Sequence, residues 1–568
     1  FWLKPAHARL ADRGMAGRYV ARLAFMVSWL AVGALADDFH TVSTPLGAVR
    51  GIDYGDFLAF KGLPYAESPD RFTSPLPKQP WPHNVTWDAT HFGDACVGAG
   101  SHADHDPLNS YGESENCLFA NVWAPKRHPQ GLPVVVWIHG GGFMSGTANQ
   151  AEYWGDGIVT QPEQPIILVT FDYRLGIFGF FSSDDAGANF ALQDQQLLLR
   201  WVQQNIAAFG GDPGQVTLMG QSAGAMAVVC HLAAPGSRDL FHRAVASSPI
   251  GLRYRTLRKN IGFVNTVARF VGCGLTSNVT KCLRSKPYKM LSAADIAPEY
   301  LFHLKRPCPE CDNFLPWMPV IDNRTLLRSP LETIRLGEHN QVPTIISTVR
   351  NETLAFIPKL LMTLGNNRFA YASIMKLLFK DRAAEVERHY ATSPDTEHIS
   401  KGTAIGIATT DALVTCYARY FVKLLSQRAP AFLSTFVLAP HSSEMHKNRL
   451  CIRGPPDGAT CHAADITYLL PASARMTART GLGYSGLEEA HAAQIYAGAF
   501  SAFVSGNESA FEPYDASHDI STAWDLHGST VTHGYHKSHC DFLESVGFAQ
   551  EPWGVEPVEG AAPALRFV

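Results

Sequence analysis

Net charge, long apolar runs and grouped metal ligands are all scarce in this chain of 568 residues. Its formal charge is −4, so no basic field draws it to nucleic acid or to anionic lipid. Past residue 36, no apolar stretch reaches the ~17–25 residues that a spanning helix needs, and no stable membrane span is expected. Cys308 and Cys311 form a lone C-x-x-C without a second set of ligands; a local disulfide is a better reading of it than zinc. No internal repeat is found. What remains is ordinary for a protein with a large core: 46% hydrophobic and 17% charged residues. The length would allow several domains, yet large α/β enzymes often exceed that prior as one unit.

The first residues read as an address. From Met15 come Arg18 and Arg22, an apolar run from Leu23 to Ala36, and Ala34-Leu35-Ala36 ahead of Asp37. This is the pattern of a secretory signal peptide over 15–36, cleaved after Ala36 and implying a secreted protein, with an uncleaved signal anchor as the alternative. Residues 1–14 read as an upstream extension, and 551–568, rich in Pro, Gly and Glu, as a frayed tail. The eleven cysteines suit an oxidising compartment, and their odd number leaves at least one unpaired or intermolecular. Cys230 is the choice for a buried free thiol. Sequons at Asn84, Asn278, Asn323 and Asn507 are expected to carry glycans, whereas Asn351 is expected to be buried and unmodified.

Gly220-Gln221-Ser222-Ala223-Gly224 carries the most chemistry. A β-type segment, Gln215 to Met219, precedes it, and a helical one, Ala225 to Leu232, follows until Pro235-Gly236. A serine turned sharply between strand and helix, with a glycine on each side to remove Cβ clashes, is a nucleophile elbow. Alone the pattern is weak in a chain with 47 glycines. Upstream, however, the buried-strand run Leu132 to Ile138 ends in His139-Gly140-Gly141-Gly142-Phe143. Adjacent glycines there expose successive backbone N–H groups, as an oxyanion hole requires.

Strands and helices alternate along the chain. Ile166–Thr170 reads as a strand, followed by a helix through Leu192, Leu199, Val202 and Ile206, then by the nucleophile strand and its helix. Later strands are expected at Thr344–Val349 and Leu433–Leu438, with helices between about 355 and 428. Such alternation predicts an α/β fold with a mostly parallel sheet covered on both faces.

Several long segments resemble the type-B carboxylesterases: Gly47 to Gly51, Phe60 to Ala66, Glu115 to Trp123, Asp172 to Gly176 and Phe209 to Pro213. The similarity runs to Cys540. It implies an α/β-hydrolase fold as a single domain over 37–550. By the same resemblance Cys96 pairs with Cys117, Cys273 with Cys282 and Cys416 with Cys540; Cys451 and Cys461 offer a fourth bridge.

A serine hydroxyl needs a base within reach and a carboxylate to orient that base. Glu352 follows the Thr344–Val349 strand and matches the family's acidic position, although the family usually has glycine where this chain has Ser347 and Thr353. Of 23 histidines, His462, in Gly458 to Ile466, sits in a segment similar to the family's histidine loop. His441 and His446 read as solvated loop residues. The resemblance therefore implies a triad of Ser222, Glu352 and His462, with an oxyanion hole from the amides of Gly141, Gly142 and Ala223. It implies two-step hydrolysis of a small-molecule or lipid ester, with neither metal nor organic cofactor and with oligomeric state open. Choline esters are disfavoured: Tyr111 is the only aromatic residue between Cys96 and Cys117, and Gln221 stands where many relatives carry glutamate. A neuroligin-like adhesion protein is the alternative of a different class.

Overall fold

Leu132-Pro133-Val134-Val135-Val136-Trp137-Ile138 has no polar alternation, so as a strand it must be covered on both faces. The computed structural model describes residues 38–98, 111–127, 130–161, 163–274, 276–295, 315–356, 367–379, 382–393, 400–439, 459–480, 483–484 and 486–547. The expected leader over 15–36, the extension 1–14, the tail 551–568, Cys308, Cys311, Cys451, His441 and His446 lie outside the described residues.

The strands are β1 (Asp38–Thr44), β2 (Gly47–Asp53), β3 (Phe57–Pro64), β4 (Thr86–Asp88), β5 (Ala95–Cys96), β6 (Glu113–Ser114), β7 (Phe119–Pro125) and β8 (Leu132–Ile138). They continue with β9 (Ile167–Phe171), β10 (Gly211–Gln221), β11 (Arg243–Ser247), β12 (Thr344–Val349), β13 (Ala431–Phe436), β14 (Ile520–Asp525) and β15 (Gly528–His533). One large sheet runs β1-β2-β3-β7-β9-β8-β10-β11-β12-β13-β14-β15, with β4 beside β2, while β5 and β6 pair separately. Its centre, β9 to β14, is parallel. Its ends are antiparallel: β1 to β9 on one side and β14–β15 on the other. The sheet is thus mixed, and the expectation of mostly parallel strands describes its middle, where the helical crossovers lie.

The helices used below are α1 (Phe190–Asn205), α2 (Ala223–Ala233), α3 (Lys401–Thr410), α4 (Cys416–Leu425), α5 (Leu487–Val504) and α6 (Lys537–Ser545). Side chains alternate across β8, so each face of the sheet owns every second residue. Val134, Val136 and Ile138 pack in one core with Leu198 and Val202 of α1 and the residues of α2. Val135 and Trp137 pack in a second core with Tyr496, Phe500 and Phe503 of α5. Every residue of α2 is buried, which explains its run of alanine, glycine and valine.

The chain leaves β8 for β9 on one side and then returns to β10 on the other. Strand order reverses there, and such a switch point opens a crevice at the strands' C-terminal ends. Gly220 of β10 pairs with Ile138 of β8, so the glycine triplet and Ser222 leave the sheet together. The bridges Cys96–Cys117, Cys273–Cys282 and Cys416–Cys540 are formed, and Cys461 is also disulfide-bonded. Cys230 is a buried free thiol, pushed up to about 12 by burial.

Candidate active site

Ser222 holds φ 58° and ψ −123° between β10 and α2, a backbone conformation that costs on the order of 1–3 kcal/mol for a non-glycine residue. The surroundings enforce it. A Cβ on Gly224 would lie 2.0 Å from the carbonyl oxygen of Ile138, and one on Gly220 would lie 2.6 Å from the backbone of Gly224. Both glycines are there for close approach, which lets α2 start hard against β8.

The neighbouring loop is folded around Gly141. Its carbonyl accepts from the amides of Met144 and Ser145 at 3.1 and 3.0 Å and from the Ser145 hydroxyl at 3.1 Å. Gly141 and Gly142 have φ of 110° and 64°. Among the described residues, no acceptor takes the amides of Gly141, Gly142 or Ala223, so three donors remain available at the mouth of the crevice. The loop is pinned from beneath: the Tyr173 hydroxyl donates to the His139 carbonyl at 2.8 Å, and the two rings stack. Asp172 accepts from the Ala148 amide at 2.8 Å and the Thr147 hydroxyl at 3.1 Å. Burial pushes its carboxyl up to about 7, against those hydrogen bonds.

Glu352, just beyond β12, is fully buried. One carboxylate oxygen accepts from the Val349 amide at 2.8 Å, and the other lies 2.5 Å from His462 Nδ1. Because a carboxylate only accepts, Nδ1 carries the proton and Nε2 presents its lone pair. That lone pair meets the side-chain amide of Gln221, which donates at 3.2 Å. Among the described residues no hydrogen bond joins the Ser222 hydroxyl to His462; the residue beside it makes the contact. Ser222 and His462 are 7% and 5% exposed, and the Phe356 ring packs 4.9 Å from the imidazole with 41% of its surface open.

The acid and histidine segments are stitched through their backbones. The Asn351 amide donates to the Thr460 carbonyl at 2.9 Å, and the Thr460 amide donates to Asn351 Oδ1 at 3.1 Å. Asn351 is half-buried rather than buried, because its side chain caps this seam at the rim. Behind the pair, Asp465 is buried and accepts from the Ser247 hydroxyl. Burial pushes its carboxyl up to about 6, and the charge of Glu352 adds to that.

Sequence reasoning passed over Ser247, His139 and the Gln221–His462 contact. Only the motif around Asp172 signalled the support of the glycine loop, and nothing local signals a partner for Ser247 that is 218 residues away.

A parallel-centred sheet with a strained serine at its switch point, an acid after a later strand and a histidine loop beyond defines the α/β-hydrolase architecture. The chain belongs to the carboxylesterase family, whose model matches residues 38–543. It is similar to a solved thermophilic PNB esterase, with a TM-score of 0.73 and 26% identity, covering 89% of this chain and 99% of that one. It is 35% identical to mouse (Mus musculus) cholinesterase over 56% of this chain and 55% of that protein, so it spans about half the length of that relative. It is 31% identical to the crystal protein of Dictyostelium discoideum over 74% of each chain. It is also 32% identical to the juvenile hormone esterase of Tribolium castaneum, over 60% of this chain and 61% of that one.

Proposed function

We propose that this chain is an exported serine hydrolase that cleaves carboxylic esters through an acyl-enzyme. The observation that carries the reading is the 2.5 Å contact between buried Glu352 and His462 Nδ1, which turns the Nε2 lone pair toward the residues of the elbow. In reaction the Ser222 hydroxyl takes over from the Gln221 amide at Nε2; such contacts commonly tighten only when substrate is bound. His462 accepts the serine proton as Oγ attacks the ester carbonyl, and Glu352 stabilises the imidazolium. The amides of Gly141, Gly142 and Ala223 donate to the oxyanion, where losing one donor typically costs ~10²–10³ in turnover. His462 returns the proton to the leaving alcohol. Water then attacks the acyl-serine by the same route, releasing acid and restoring Ser222.

The half-exposed Phe356 ring beside His462 offers an apolar surface to the substrate. Gln221 contributes no negative charge there, which supports a neutral small-molecule or lipid ester over a cationic one. Export rests on the disulfides, which persist in oxidising compartments. Purified full-length protein is tested on p-nitrophenyl esters of graded acyl length, beside Ser222→Ala. Turnover that falls about 10⁶-fold in the variant supports the reading, and equal turnover by both proteins contradicts it.

A further inference from the structure

Thr353 follows the acid of the proposed triad directly, at a place where glycine would give a freer backbone. Its φ is not in the left-handed region, so the backbone does not ask for glycine, and its side chain is turned inward with 2% of its surface exposed. The hydroxyl lies 2.7 Å from that of Thr409, 3.0 Å from that of Thr410 and 3.0 Å from the Gly406 carbonyl. The Thr353 amide donates to the Thr410 hydroxyl oxygen at 3.2 Å. One assignment gives each of the three hydroxyls an acceptor. Thr410 donates to Thr353, Thr353 donates to Thr409, and Thr409 donates to the Ile405 carbonyl at 2.8 Å.

The platform under this knot is itself fixed. Thr409 and Thr410 end α3, and a π-helical turn, Asp411–Thr415, leads into α4. The turn carries Asp411 inward, where it accepts from the Tyr390 hydroxyl at 2.8 Å and sits 2.6 Å from His536 Nδ1. The Leu413 carbonyl accepts from the Gly251 amide at 2.7 Å. Among the described residues the Glu352 carboxylate by contrast has one backbone hydrogen bond, from the Val349 amide. Its backbone is held on the N-terminal side by the Asn351–Thr460 seam and on the C-terminal side by Thr353.

We propose that Thr353 is a positioning residue, whose hydroxyl and amide, gripped by Thr409 and Thr410, hold the Glu352 carboxylate on His462 Nδ1. The proposal rests on the triad reading above. Thr353 does not touch substrate, so its loss acts on kcat and leaves KM alone; small displacements of a catalytic group can cost up to about 10²-fold.

The test uses full-length Thr353→Val, Thr353→Ser, Thr410→Val and Ser222→Ala on p-nitrophenyl butyrate, with kcat expressed per site titrated by a fluorophosphonate. Thr353→Val is expected to lose roughly tenfold in kcat per site at unchanged KM. Thr353→Ser is expected to restore kcat, and Thr410→Val to lower it at unchanged KM, which serves if Thr353→Val folds poorly. Wild-type kcat per site in both valine variants would overturn the proposal, even if fewer sites titrate, since that outcome leaves only a structural role. Full turnover by Ser222→Ala would instead remove the triad, and this proposal with it.

Discussion

The two halves of the site are built by different physics. The half at β8 and β10 is made by backbone: paired strands, two glycines that admit no Cβ, and amides that have no acceptor among the described residues. The half at β12 and the histidine loop is made by side chains that reach across long stretches of sequence, such as Glu352 to His462, Asn351 to Thr460 and Ser247 to Asp465. Backbone geometry is set by strand register and tolerates no added atom. Side-chain contacts depend on single polar groups, and each can be removed without unfolding the chain. The first half is therefore expected to fail by unfolding and the second by losing rate.

After Ser222→Ala, Glu352→Gln is the largest expected effect on rate. An amide at this position can hold the imidazole in the wrong tautomer, and the comparable change in another triad costs about 10⁴ in kcat. Steady-state kinetics should record a loss of that order while the thermal midpoint stays near that of the wild type.

Gly224→Ala probes the other half. Its new Cβ would lie 2.0 Å from the Ile138 carbonyl oxygen, and forcing atoms into packed backbone costs about 3 kcal/mol or more. Denaturant titration should show stability falling by that amount, or folded protein should not be recovered. A variant with normal stability would erase the contrast between the two halves.

Asp465→Asn tests the buried carboxylate by pH. The folded protein holds this group near 6, above its ordinary value, so between about pH 4 and pH 6 the native state keeps a proton that the unfolded chain releases. Wild-type stability therefore falls as pH rises through that window, and the asparagine variant escapes the fall. Relative to wild type, the variant should gain up to ~3 kcal/mol between pH 4 and pH 7. A constant difference between the two proteins would show that the carboxylate does not titrate there.

The same division explains what the sequence could tell. Gly220 to Gly224 and the run ending in His139-Gly140-Gly141-Gly142 are legible because local order fixes them: a strand, a forced turn, a helix. β8 and β12 occur where the apolar runs place them. β13 begins at Ala431 rather than Leu433, because Ala431 pairs with Thr344 at the start of β12, and pairing sets a strand's bounds. The antiparallel ends of the sheet depend on which neighbour each outer strand meets, and strand composition is silent about that. Thr353 stood out only as a departure from glycine, and its meaning depends on Thr409 and Thr410, which lie 56 and 57 residues further along. Gln221 was legible as a missing charge and not as a partner of His462, since that contact joins residues 241 positions apart.

The most direct measurement is mass-spectrometric mapping of the adduct formed by a fluorophosphonate on the full-length protein. The account predicts a single phosphonylated residue, Ser222, formed rapidly in the wild type and lost or strongly slowed in His462→Ala. An adduct on another residue, or labelling of Ser222 at an unchanged rate without His462, would contradict it.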